Sequence, residues 1–235
     1  FVSNFARWRC ALSRRRCSST PRPSTDSSIP AFSSATISSS IAVATSAGGS
    51  RGVRVGAPGL AQRRGSYCLA LHSDLHGGNL ALATALKANA EHWIDAIDGV
   101  YAMCPYIYGG YANPSESLPS LFENDDYLLS CAIMRSIVKV YDPEGSHATN
   151  PLAWPYHADV SALTGLPAHF ISVNELDPLR DEGLAYYRKL LAAGVSVGAR
   201  TVHGTPHAGD MGFFHAAPEI TADTIASIAA FVRDR

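Results

Sequence analysis

Two residues in the carboxyl-terminal half, Asp177 and His207, have types and a spacing that suit acid–base chemistry. Asp177 follows a predicted buried strand, and His207 lies 30 residues later, in a loop after the last predicted strand. One helix and one strand fit in that interval, so both loops should reach the same carboxyl edge of a parallel sheet. A carboxylate there can hold a histidine in one tautomer and stabilise its charged form. Asp177 also fits a helix N-cap, with Pro178 in the first turn.

A third stretch, SDLHGGNLALATALKAN at residues 73–89, has the outline of a strand-to-helix turn that carries a nucleophile. Such a turn needs small residues, because the chain reverses sharply and packs backbone against backbone. Gly77 and Gly78 meet that need. Alanine and leucine are good helix formers, so we predict a helix from about Asn79 to Asn89–His92.

These motifs resemble those of the hormone-sensitive-lipase-like carboxylesterases of the α/β-hydrolase fold, and the resemblance covers residues 77–235. The family's elbow reads Gly-Asp/Glu-Ser-Ala/Gly-Gly-Gly/Asn-Asn-Leu. Its acid motif reads Glu-x-Asp-Pro-Leu-Arg-Asp-Glu-Gly, as residues 175–183 do here. The resemblance implies that Asp177 is the catalytic acid and His207 the general base. The family commonly has His-Gly-Phe at the histidine, whereas this chain continues with Ala208.

The same resemblance places the family's catalytic serine at Leu75, which has no nucleophilic atom. Ser73 would lie on the strand side of the turn and not at its apex, so we do not expect it to act as the nucleophile. His76 occupies the position whose backbone N–H normally donates to the oxyanion. The family's separate His-Gly-Gly oxyanion motif should lie well upstream, but the one such run here is residues 76–78, inside the elbow.

The resemblance therefore implies a serine carboxylesterase or lipase-type hydrolase that acts on small carboxylic esters and is inactive or impaired because of Leu75. It implies no cofactor. The alternative is a non-catalytic, degenerate hydrolase fold that acts as a binding or homodimerisation module, or a nonfunctional product. A nucleic-acid-binding arm is a weaker hypothesis, because the basic segment lacks the interleaved aromatic residues of a base-stacking surface.

The elements that must position these residues alternate between strand and helix, which is typical of a parallel sheet with helices on both faces. We predict strands at residues 97–103, 168–173 and 195–202, and helices at 125–141, after 183 and at 222–232. The sequence thus predicts an α/β fold, the carboxyl-terminal part of an α/β hydrolase, preceded by a poorly ordered tail.

Apolar residues at three- and four-residue steps indicate which helix faces turn toward the core. The helix at 125–141 carries such a stripe, made of Tyr127, Cys131, Met134, Val138 and Tyr141. The predicted inward residues of the last two helices are Tyr187, Leu190 and Leu191, and then Ile225, Ile228 and Val232.

Residues 1–70 have a different composition from the predicted hydrolase domain at 71–235, with ten arginines, fifteen serines, no lysine and one acidic residue. Three hypotheses fit: an organellar transit peptide, a disordered basic tail, or a GC-rich gene read out of frame, which we favour. The chain starts with Phe1, as a fragment would. Only Ile41-Ala42-Val43 reads as a short strand, so we expect the strand before the elbow to leave an unpaired edge.

Five cysteines are present, and none forms a Cys-x-x-Cys pair. The sequence therefore indicates neither a zinc site nor a disulfide framework, and we interpret the cysteines as reduced thiols in a cytoplasmic protein. No apolar run approaches the roughly 18 residues that a membrane span needs, so no span is predicted.

Overall fold

A five-stranded sheet in the order β1-β2-β3-β4-β5 organises the structure. The computed structural model describes residues 42–45, 67–71 and 77–234, all within the compact unit Ile41–Arg235. The strands are β1 (Ala42–Thr45), β2 (Tyr67–Leu71), β3 (Ile97–Met103), β4 (Ala168–Leu176) and β5 (Val197–Pro206). β1 is antiparallel to β2, and the other neighbouring pairs are parallel.

The helices follow the strands in alternation, as predicted. They are α1 (Gly77–Ala90), α2 (Ser120–Glu123), α3 (Cys131–Tyr141), α4 (Val160–Leu163), α5 (Arg180–Ala192), α6 (Gly209–Gly212) and α7 (Pro218–Arg233). Two short 3₁₀ turns lie at Ile94–Ala96 and Pro155–His157. No helix in the described part of the chain is long and apolar enough to cross a membrane.

Strand β3 shows how the sheet is buried on both faces. Val100 belongs to a core cluster that contains α1 and α5 residues, such as Leu82 and Leu190. Its neighbour Tyr101 belongs to a cluster on the opposite face, with Phe231 of α7. Successive side chains of a strand point to opposite faces, so an uninterrupted apolar run is needed when both faces are covered. The predicted layered α/β fold is confirmed.

Most predicted boundaries lie within a few residues of the observed ones. β3 covers the predicted residues 97–103. β4 begins at the predicted Ala168 and continues to Leu176, while β5 is shifted toward the carboxyl end, at Val197–Pro206. Gly194 ends α5 with a φ of 75°, the left-handed conformation that a helix end favours.

The prediction that the strand before the elbow would have an unpaired edge was wrong. β1 includes part of the predicted strand Ile41-Ala42-Val43 and pairs with β2. β2 is the strand before the elbow, for which the sequence indicated no bounds, and it pairs in parallel with β3. The order of the rest of residues 1–70 lies outside the described residues.

Helix α3 begins at Cys131 and not at the predicted Asp125. The chain cannot be helical through Asp126, whose φ is 67°. The side chain of Ser130 caps α3 by accepting a hydrogen bond from the Ile133 N–H. Of the predicted stripe only Met134 is fully buried, whereas Tyr141 is 49% exposed.

The predicted inward faces of α5 and α7 are mostly correct, because Leu190 is buried and Tyr187, Ile228 and Val232 pack against core clusters. One predicted inward residue of each helix is exposed instead. Leu191 of α5 is 49% exposed and Ile225 of α7 is 53% exposed. In α7 the early inward positions belong to Thr221, whose hydroxyl donates to the Asp210 backbone carbonyl, and Thr224, whose hydroxyl donates to the Asp210 carboxylate. Because buried carbonyl and carboxylate oxygens need hydrogen-bond donors, these threonines face inward and Ile225 faces solvent.

The first turn of α1 approaches the end of β3 closely. A Cβ atom on Gly78 would lie 2.9 Å from both the Met103 carbonyl oxygen and the Pro105 Cα. Only glycine fits such a contact without moving backbone. The prediction that small residues serve backbone-to-backbone packing here is met at Gly78.

Candidate active site

The candidate site lies where three adjacent parallel strands end. Cys104 directly follows β3, Asp177 directly follows β4, and His207 directly follows β5. Ligands bind in open α/β sheets at the carboxyl ends of the strands. The predicted convergence of Asp177 and His207 at one sheet edge is observed.

Asp177 uses its two carboxylate oxygens for two different hydrogen bonds. Oδ2 accepts from Nδ1 of His207 at 2.8 Å, and Oδ1 accepts from the Leu179 N–H at 2.9 Å. Asp177 is completely buried, and His207 is 8% exposed. Asp177 is not the N-cap of α5, which is Leu179. Its bond to the Leu179 N–H closes a turn before the helix and fixes the carboxylate that holds the imidazole.

The residue after the histidine has a strained backbone. Ala208 adopts a φ of 50° and a ψ of 17°, in the left-handed region. A side chain is unfavourable there and glycine is not. Helix α6 begins immediately afterwards at Gly209.

The acid loop is anchored to the segment that contains α2. Ser120 donates its backbone N–H to Asp181 Oδ2 at 2.7 Å and its hydroxyl to the Pro178 carbonyl at 2.7 Å. The side-chain amide of Asn124 donates to the Asp177 carbonyl at 3.1 Å. These contacts anchor the acid loop at Asp177, Pro178 and Asp181, so the segment that contains α2 helps to hold Asp177 in place.

Glu182, the next residue of the motif, holds the segment that follows β3. Its Oε1 accepts from the backbone N–H groups of Ile107 and Tyr108 at 2.6 and 3.1 Å and from the Tyr111 hydroxyl at 2.8 Å. Burial raises the pKa of this carboxyl to about 8, although the hydrogen bonds to Oε1 counteract part of the rise. The same segment after β3 is also held by α1, because the side-chain amide of Asn79 donates to the Tyr106 carbonyl at 2.9 Å.

A buried polar network lies behind Asp177 and His207. The Cys104 thiol donates to Asn174 Oδ1 at 2.6 Å. The Asn174 amide donates to Thr205 Oγ1 at 2.6 Å and to Asp210 Oδ1 at 3.1 Å. Arg200, partly exposed, places Nη2 3.7 Å from Asp210 Oδ2. The network ties the ends of β3, β4 and β5 together.

Cys104 has the wrong chemistry to serve as a replacement nucleophile. Burial, followed by the charges of Asp177 and Asp210, raises the pKa of its thiol well above the usual value. A thiol acts as a nucleophile only as the thiolate. Cys104 is therefore a protonated hydrogen-bond donor in this site.

The remaining sequence candidates fall into two groups. Leu75, Ser73 and His76 lie outside the described residues, so the position of the nucleophile is not part of the described structure. His203 lies within β5, and its Nδ1 is 3.1 Å from Oε1 of Glu175. That pair is exposed, and exposed pairs contribute little stability.

The sequence did not indicate the structural roles of Asn79, Cys104, Asn174, Glu182 and Asp210. Asn79 and Glu182 stand inside the two recognised motifs, which was a signal that they do something specific. Asn174 and Asp210 are within a few residues of Asp177 and His207, but a polar residue near a strand end has many uses. Only their burial, at 6% exposure or less for all five, separates them from surface residues.

Comparison with known proteins gives a consistent family. A family model described as alpha/beta hydrolase fold matches residues 69–211. An arylesterase of Saccharolobus solfataricus is 29% identical over 159 residues, which are 67% of this chain and 48% of the relative. A carboxylesterase of Mycobacterium tuberculosis, NlhH, is 33% identical over 134 residues, which are 55% of this chain and 39% of the relative.

A solved structure is more similar still. A brefeldin A esterase, described as a bacterial homologue of human hormone sensitive lipase, is 48% identical and superposes with a TM-score of 0.68. The superposition covers 70% of this chain and 47% of that one. This chain thus spans about half the length of the relatives that it matches.

Proposed function

This chain belongs to the alpha/beta hydrolase fold family, and on that premise we propose that it carries the acid–base half of a carboxylic ester hydrolase whose nucleophile position is occupied by Leu75. The observation that carries this proposal is the 2.8 Å hydrogen bond between His207 and Asp177. The esterase names of the relatives support the same class of substrate.

In such an enzyme His207 is the general base and Asp177 holds it in one tautomer. A serine attacks the ester carbonyl after giving its proton to the histidine, and water then releases the acyl group. A leucine has no proton to give and no lone pair with which to attack. The proposed consequence is an impaired hydrolase for small carboxylic esters, because Cys104 is held protonated and does not replace the serine.

A second candidate is a non-catalytic hydrolase fold that binds a ligand without turning it over, or that pairs with a second copy of itself. The same leucine favours it, because binding needs no nucleophile. Analytical ultracentrifugation tests the homodimer, and calorimetric titration with a non-hydrolysable ester analogue tests the binding module. A cytoplasmic location and the lack of a nucleic-acid partner also remain proposals.

The deciding experiment is hydrolysis of short p-nitrophenyl esters by the purified chain, by His207→Ala and by His203→Ala as a matched control. We expect all three to hydrolyse the ester at the same low rate, because loss of the nucleophile costs on the order of a million-fold in turnover. A rate of roughly 10 per second that disappears only in His207→Ala contradicts the proposed impairment and points to an intact esterase.

A further inference from the structure

Three side chains that can each supply a metal ligand meet at the carboxyl edge of the sheet. Cys104, Asp177 and His207 are all buried, and each offers one ligand atom within 4.8 Å of the other two. No other set of three such side chains occurs in the part of the chain that the structure describes. The three come from the ends of three hydrogen-bonded strands, so the sheet itself fixes their separation.

We propose that this cluster binds a thiophilic divalent cation, with Zn²⁺ and Cd²⁺ as the representative ions, through the sulfur of Cys104, a carboxylate oxygen of Asp177 and a ring nitrogen of His207. Sulfur, imidazole nitrogen and carboxylate oxygen are the ligand types that zinc accepts. A thiolate among them selects soft cations over magnesium or calcium. Three protein ligands leave a fourth, open position.

Metal coordination requires small movements of the three ligand side chains. Tetrahedral coordination with bonds of about 2.0–2.3 Å places the ligand atoms about 3.3–3.8 Å apart. The His207 Nδ1 and Asp177 Oδ2 atoms, now 2.8 Å apart, separate by about half an ångström to reach that spacing. The Cys104 sulfur, which lies within 4.8 Å of the other two ligand atoms, approaches them and gives up its hydrogen bond to Asn174 Oδ1. The Leu179 N–H keeps its bond to Oδ1 of Asp177 and orients the ligand carboxylate.

The charges around the cluster favour a cation. Asp177 and Asp210 are 0% and 1% exposed, and buried carboxylates are costly unless they are paired. The basic side chains bonded to them are His207 and the partly exposed Arg200. A divalent ion adds positive charge where two carboxylates are already desolvated. Its binding releases the thiol proton of Cys104 to solvent, and the proton of His207 moves from Nδ1 to Nε2, so that the ring stays neutral and binds the ion through Nδ1.

Metal binding would therefore switch off the hydrogen-bonded pair of His207 and Asp177. The cation takes the place of the proton through which Asp177 orients His207, so the metal-bound state and the hydrogen-bonded pair exclude each other. The inference does not depend on ester turnover, because the three ligands are present whether or not the chain has a nucleophile. Its test therefore uses binding and not activity.

The experiment titrates the full chain with Cd²⁺, followed by calorimetry and by the thiolate-to-cadmium charge-transfer absorption. Cys104→Ser and His207→Gln are compared with Cys131→Ser, which removes a free thiol outside the cluster. Cys10, Cys17 and Cys68 are the same in every variant, so differences between variants report on the cluster. We expect Cys104→Ser and His207→Gln each to weaken one Cd²⁺ site at least about tenfold, and Cys131→Ser to leave that site unchanged.

Nuclear magnetic resonance of the His207 ring supplies a second readout that a fold defect does not imitate. We expect the proton between His207 Nδ1 and Asp177 to disappear as Cd²⁺ binds, and the ring nitrogen to couple to ¹¹³Cd. Asp177→Asn, with the same shape, should weaken binding as well. Wild-type Cd²⁺ affinity in Cys104→Ser or in His207→Gln, or a His207 ring unaffected by saturating Cd²⁺, overturns the inference.

Discussion

Glu182 of α5 accepts a hydrogen bond at 2.6 Å from the backbone N–H of Ile107, 75 residues earlier in the chain. The bond fastens the segment after β3 to the helix that follows the acid loop. The carboxyl is 1% exposed, and its Oε2 makes no hydrogen bond within the described residues. A protonated carboxyl fits this place better than a charged one.

Stability should therefore fall as the pH rises. Burial raises the pKa of Glu182 from 4.5 to about 8 in the folded state. A carboxyl with a raised folded pKa contributes its full stability below pH 4.5 and loses it progressively as the pH rises from 4.5 through about 8. At about 1.4 kcal/mol per pKa unit, the loss is on the order of several kcal/mol. Urea denaturation between pH 5 and pH 9 measures it.

The matched variant is Glu182→Gln, which keeps an oxygen acceptor for Ile107 and cannot ionise. We expect its unfolding free energy to depend less on pH than that of the parent and to exceed it above pH 8. Glu144→Gln, at an exposed position, should follow the parent. Equal slopes for Glu182→Gln and the parent would mean that the carboxyl does not titrate in this range.

Ala208→Gly should stabilise the protein, because Ala208 occupies the left-handed region with a φ of 50°. The strain of a non-glycine residue there costs about 1 kcal/mol, of which the greater freedom of glycine in the unfolded chain removes a part. Ala193→Gly is the control, since Ala193 has a φ of −80°, and it should destabilise. The prediction fails if both substitutions lower the denaturation midpoint alike.

Gly78→Ala should destabilise the protein by roughly 1–3 kcal/mol, as overpacking typically does. The added Cβ would lie 2.9 Å from the backbone of Met103 and Pro105, neither of which moves freely. Gly212→Ala is the control, because its Cβ would meet no atom within 4 Å. Thermal unfolding of both variants measures the difference, and equal shifts would show that α1 does not rest against β3 as described.

Limited proteolysis should locate the start of the packed domain. The composition of residues 1–70 predicts a protected fragment that starts near residue 70. The β1–β2 pairing predicts an earlier start, before Ala42, because an edge strand in a sheet resists cleavage. We expect the earlier start, determined by mass spectrometry of the first stable fragment. A fragment that starts after Leu71 would place both strands outside the stable fold.

Leu75→Ser alone should not restore ester hydrolysis. The serine would gain a base if His207 lies within reach, but no upstream His-Gly-Gly run supplies the oxyanion donors. Loss of one such donor costs roughly a hundred- to a thousand-fold. The informative comparison is Leu75→Ser against Leu75→Ser/His76→Gly with a grafted family amino-terminal half. Robust hydrolysis by the single variant would show that residues 1–70 provide an oxyanion site.

The sequence by itself was sufficient to predict the strands whose apolar residues are buried between two layers of helices. β3 and β4 were predicted because a strand covered on both faces has no polar alternation to obscure it. The loops that hold Asp177 and His207 followed from the alternation of strand and helix, whereas the roles of acid and base were implied by the resemblance to the esterase family. The two motifs pointed to the family, and the match over residues 69–211 supports that assignment.

Only the tertiary structure decided which polar residues are buried and what they hold. Thr224 faces inward because Asp210 needs a donor, and Glu182 is buried because the segment after β3 needs an acceptor for its free N–H groups. Such pairings join residues far apart in the chain, so the local composition around either residue does not predict them. The position of Cys104 beside Asp177 and His207 is of the same kind, because it depends on which strands are neighbours in the sheet.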